Sequence, residues 1–153
     1  MRLPTSLIAP LATAIMAMAF LPVSANAADG KAASVTKAVT AVRVVIQINE
    51  DDAKKWNSTL GNIHNIQAEL GKDKVAIAVV AIGPGLDMLM ADSLAANRVQ
   101  DAIADGVEFV ACENTMKARS IKKDDLTDGI GFARAGYVEI MRRQQQGWTY
   151  LRP

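Results

Sequence analysis

Cys112 is the only thiol in a chain of 153 residues, and its neighbours have the make-up that renders a thiol reactive. It ends the apolar run 107–112 (VEFVAC), and the residues behind it, Glu113-Asn114-Thr115-Met116, are suited to start a short helix over 114–118. A sulfur at such a junction stands near backbone N–H groups without helical partners and near the positive end of a helix dipole, and both favour the thiolate. Glu113 opposes ionisation if it points the same way, and Lys117 or Arg119 offsets it. The same residues also fit an inert reading, in which a free cysteine is packed as a small hydrophobe.

Other residues offer less chemistry. His64 is the only histidine and stands beside the inner stripe of a helix, where it is either a proton shuttle or a boundary residue. Asp51 and Asp52 follow a strand at what becomes the carboxyl edge of a sheet, where polar site residues collect, although helix capping accounts for them as well. Gly83-Pro84-Gly85 turns the chain directly after a strand and lets backbone come close to a ligand or a neighbouring chain, but it lacks the glycine spacing and the lysine of a phosphate loop. One histidine and one cysteine with no paired spacing cannot close a metal site within one chain. No Ser-His-Asp set or carboxylate pair is signalled either, and no cofactor is expected.

The elements that must position these residues alternate. Val42–Ile48 (VRVVIQI) and 75–82 (VAIAVVAI) are apolar on both faces, as strands buried between helix layers are, and 107–112 is a third such strand. Between the first two, Trp56, Leu60, Ile63 and Leu70 share one helical face, with Asp51 and Asp52 at its start and Gly71 closing it. Residues 86–90 offer one helical turn, and their apolar Met88, Leu89 and Met90 are either core or an exposed oligomer contact, with the contact as the expectation. Ser93 is placed to cap a helix running to about Asp105, with Ala95, Val99, Ala102 and Ile103 inward and Gly106 ending it. A short strand within 132–135, a helix over 137–146 and an aromatic strand over 148–151 complete the order. Such alternation predicts an α/β fold: a three-layer α/β/α sandwich with a mainly parallel sheet of about five strands and right-handed crossovers.

Residues 1–27 read as a cleavable secretory signal peptide. Arg2 precedes an apolar run over 7–21, shorter than the about 20 residues a membrane-spanning helix needs, and Ala25-Asn26-Ala27 then supplies the small side chains a signal peptidase accepts. Cleavage before Ala28, export through the Sec route and a periplasmic location follow, with 28–40 as a loosely held segment before a domain over 41–153. Arg2 is the only charge in the leader, so its removal takes the formal net charge from +1 to zero. A neutral domain without basic runs has no electrostatic footprint for nucleic acid, and no second segment is apolar enough for a membrane.

Four stretches in order resemble the DsrE/DsrF-like family: Trp56…Leu60-x-Asn62-Ile63-x-Asn65, Gly83-Pro84-Gly85-Leu86, Gly106-Val107-x-Phe109-x-Ala111-Cys112-x-Asn114-Thr115-Met116, and Arg143-Gln144…Gly147-Trp148-x-Tyr150…Pro153. The resemblance implies a parallel α/β/α sandwich that assembles into homotrimers or homohexamers. It also implies that Cys112 accepts sulfane sulfur as a persulfide, exchanged with sulfur donor and acceptor proteins or small thiols. A persulfide is an anion that the same donors would hold, with Asn114 and Thr115 adding hydrogen bonds and Gly83, Gly85 and His64 as supporting candidates. Some small relatives carry a second cysteine near the first, whereas Cys112 stands alone here. The expectation from another functional class is a non-catalytic periplasmic oligomer that binds a ligand or protein, with Cys112 packed in its core.

Overall fold

The computed structural model describes residues 42–153; the expected leader, 1–27, and the segment 28–40 lie outside the described residues. Strands β1 (Val42–Ile48), β2 (Val75–Ala81), β3 (Glu108–Cys112), β4 (Gly131–Ala133) and β5 (Thr149–Leu151) form one sheet in the order β4-β3-β2-β1-β5. All four pairings are parallel. Helices α1 (Ala53–Leu70), α2 (Ala96–Ala104), α3 (Glu113–Arg119) and α4 (Gly136–Gln145) lie in the connections, and 3-10 segments span Gly83–Leu89 and Lys123–Asp125. The fold is thus the expected α/β sandwich.

Strand parity divides the core. Successive side chains point to opposite faces of a sheet, so Val44, Ile46 and Ile48 of β1, Ile77, Val79 and Ala81 of β2, and Phe109 and Ala111 of β3 share one apolar cluster. Trp56, Leu60 and Ile63 of α1, Leu86, Met88 and Leu89 of the first 3-10 segment, and Val99 of α2 cover it. The alternate residues, Val45, Val80, Val110 and Cys112, face the other way, onto Ile140 of α4.

The ends of α1 follow from local chemistry. The Asp52 carboxylate accepts the N–H groups of Lys54 and Lys55 at 2.9 and 3.1 Å, satisfying two first-turn donors. Its inner stripe closes differently from the expected pattern: Leu70, the last residue of the helix, is 40% exposed, and the inward position belongs to Gln67, whose side-chain amide donates to the Asp105 carbonyl at 2.9 Å. Ser93 does not cap α2 directly. Its hydroxyl accepts the Ala95 N–H at 3.2 Å, closing the turn before the helix.

The expected oligomer contact at 86–90 is corrected by the fold. Leu86, Met88 and Leu89 are fully buried in this chain's own core, because the 3-10 segment folds back over the carboxyl ends of the strands. Gly85 makes that return possible: a Cβ there would overlap the Ile48 carbonyl and the Asn49 N–H.

Candidate functional site

β3 stops at Cys112 because the chain turns there from extended to helical geometry, with Cys112 as the residue before α3 (φ −77°, ψ 110°). Parity aims its side chain at the start of α4, where the Gly136 N–H donates to Sγ at 3.3 Å. Glycine is needed at that position, since a Cβ on Gly136 would stand 2.6 Å from Ile82 Cγ1 and 3.3 Å from Cys112 Cβ. Thr115, one turn into α3, accepts the Gly83 N–H on its hydroxyl oxygen at 3.0 Å, which leaves the hydroxyl hydrogen for the sulfur. The Asn114 N–H donates to the Arg134 carbonyl at 3.1 Å and so ties α3 to the end of β4.

These donors decide the electrostatics. Burial pushes the Cys112 thiol up, but the Thr115 hydroxyl, the Gly136 N–H and the N–H groups of Thr115 and Asn114 outweigh it and hold the thiol below its ordinary value. Hydrogen bonds given to the charged form are the main cause of the lowering. Glu113 turns away from the sulfur to Lys123, 3.9 Å distant. Arg119 is committed elsewhere, with its guanidinium 2.7 Å from Asp87 and donating to the Gly83 carbonyl at 3.3 Å, a strap between α3 and the first 3-10 segment.

Cys112 is only 4% exposed, and it lies at the base of an open cleft of about 400 Å³. Ile82, Pro84, Ala118 and Tyr137 give the cleft mainly apolar walls, Arg119 stands at its side, and Gly83, Asn114, Thr115, Ala135 and Gly136 complete the lining. Of the residues singled out in the sequence, Asn114, Thr115 and Gly83 therefore stand with Cys112. His64 and Gly85 do not. His64 is exposed on α1, in a separate hollow with Arg98 and Asp101, and Gly85 is packed on the end of β1. Gly136 and Tyr137 escaped sequence reasoning. The available signal was a lone glycine opening a helix, which is common at helix starts and does not point to a cysteine 24 positions earlier.

The sequence model of the DsrE/DsrF-like family matches residues 42–153, all of the described chain. The chain belongs to this family. Among solved structures, this DsrE/DsrF-like chain is similar to a protein of unknown function, MTH1491, from Methanobacterium thermoautotrophicum, at 38% identity and TM-score 0.70, over 73% of this chain and 99% of that one. It shares its fold with the ychN protein of E. coli, at 12% identity and TM-score 0.64, over 73% of this chain and 99% of that one. A conserved protein of unknown function from Bacteroides thetaiotaomicron, BT1422, has the same fold at 14% identity and TM-score 0.60, covering 72% and 94% of the two chains. No functionally curated protein matches the chain.

Proposed function

We propose that this DsrE/DsrF-like protein is a periplasmic sulfur carrier that holds sulfane sulfur as a persulfide on Cys112. The observation that carries the reading is the pair of donors, the Gly136 N–H and the Thr115 hydroxyl, aimed at the chain's only thiol at the base of a cleft. In the forward step the Cys112 thiolate attacks the outer sulfur of a donor R–S–SH. The donor's S–S bond breaks, R–S⁻ leaves with the electron pair, and Cys112–S–SH forms. An acceptor thiolate then attacks the outer sulfur, and Cys112 leaves as the thiolate. Neither step needs an external oxidant. Donors and acceptors are small thiols or partner proteins, and apolar walls suit an uncharged group beside the reacting sulfur.

Purified protein incubated with polysulfide is expected to gain one sulfur atom by intact mass, removable by reductant and absent in Cys112→Ser. The same spectrum reads the leader, because periplasmic material is expected to begin at Ala28. The family resemblance supports assembly into trimers or hexamers, which light scattering after gel filtration tests. A second reading, Cys112 as a packed core residue, is favoured by its 4% exposure. It stands if polysulfide adds nothing and alkylation needs prior unfolding.

A further inference from the structure

The Arg143 motif is not absorbed by the reading of Cys112, yet it carries the most elaborate polar arrangement on this face of the sheet. Arg143 is 7% exposed; its Nη2 lies 2.7 Å from Glu108 Oε1, its Nε lies 2.7 Å from Glu139 Oε1, and its guanidinium stands 4.6 Å from the centroid of the Trp148 ring. We infer that Arg143 is a positioning residue for Cys112: it fixes where α4 lies along β3, and so how closely the Gly136 N–H approaches the sulfur. The inference rests on the reading above only in taking Cys112 as the reacting group.

The two contacts between α4 and β3 are matched in length. Glu108 opens β3 and Cys112 ends it, about 13 Å apart at the rise of an extended strand. Gly136 opens α4 and Arg143 follows seven residues later, about 10.5 Å along a helix. The helix therefore runs back over the strand and is tied to it at both ends, by Arg143 to Glu108 and by Gly136 to Cys112. The clamp also reaches the first turn directly, because the Glu139 N–H donates to the Ala135 carbonyl at 3.0 Å, one residue before Gly136. Apolar contact on this face is limited to a small cluster in which α4 contributes only Ile140. A loosening that draws α4 away from β3 lengthens the 3.3 Å contact between the Gly136 N–H and the sulfur.

A buried ion pair contributes little net stability compared with apolar packing, whereas a fork held by two carboxylates and an aromatic face defines one position. Lysine carries the same charge but cannot span both carboxylates while stacking on Trp148.

The test is the pH midpoint of the Cys112 thiol, read by alkylation rate and by thiolate absorbance, in Arg143→Lys and Glu108→Ala. The charged and titratable groups around the sulfur, Glu113 and Arg119 on α3, Arg134 before α4 and Tyr137 on it, are unchanged in both. A purely coulombic influence leaves the midpoint of Arg143→Lys where it was and lowers that of Glu108→Ala, which loses a negative charge. Positioning raises both, by about half a unit or more, seen as roughly threefold slower labelling below the midpoint. Glu108 has a half-exposed side chain, so its variant keeps the test decisive even if changes at Arg143 prevent folding. An unmoved or lowered midpoint in Glu108→Ala, with an unmoved one in any folded Arg143→Lys, overturns the inference. Absence of sulfur uptake from polysulfide would sink the carrier reading while leaving these midpoints measurable.

Discussion

The two faces of the sheet are built on different terms. Against α1, α2 and the first 3-10 segment the strands present an unbroken apolar cluster, and the polar groups there serve mainly as caps and closures, as Asp52 and Gln67 do. Against α4 the apolar cluster is small, and the rest of the surface is polar: Gln47 bonded to the Tyr150 hydroxyl at 2.7 Å, the Glu108–Arg143–Glu139 clamp, and Cys112 under Gly136. A single strand serves both, since β3 sends Phe109 and Ala111 one way and Val110 and Cys112 the other. Apolar packing and the polar surroundings of the thiol are thereby separated by parity, and a change on one face can leave the other intact.

The sharpest break in that comparison is Phe109→Ala. Phe109 is fully buried on the apolar face, and its loss is expected to lower stability by about 3–5 kcal/mol in denaturant unfolding, with the Cys112 midpoint unmoved in molecules that remain folded. Gly136→Ala is the converse. The added methyl meets Ile82, so a smaller loss of about 1–3 kcal/mol is expected, together with a raised Cys112 midpoint as α4 is pushed off the sulfur.

The smallest effect sharpens the contrast through pH. Burial pushes the Glu139 carboxyl up, but its hydrogen bonds and attraction to Arg142 and Arg143 outweigh that and hold it below the ordinary 4.5. A carboxylate whose pKa is lowered by folding contributes stability that is complete above its unfolded value and is lost as pH falls through the lowered, folded one. Glu139→Gln is therefore expected to be less stable than the parent at neutral pH and to lose less on acidification below about pH 4.5 in the same unfolding assay.

Much of the architecture was legible because it is local. The β-branched runs of β1 and β2, the Asp52 cap and the glycine after α1 each act within a few residues, and their alternation fixes a parallel sheet. Cys112 at a strand end was legible for the same reason. Its strongest backbone donor was not, because Gly136 arrives from a helix 24 positions later in the chain, and periodicity says nothing about which helix returns over which strand end. His64 was misleading in a related way: it lies on α1, on the face that β3 does not give to its cysteine. The apolar run at 86–90 fits core and surface equally well as a sequence, because it is too short to reveal that Gly85 lets it fold inward.

The central claim is that Cys112 is both reachable and activated in the folded protein. Its most direct test is the pH dependence of iodoacetamide labelling, measured on the native chain and on the same chain in denaturant. The native thiol is expected to react without unfolding, with a midpoint below that of the denatured chain. A native thiol that reacts only at the rate of global unfolding, or with a midpoint at or above the denatured one, would contradict it.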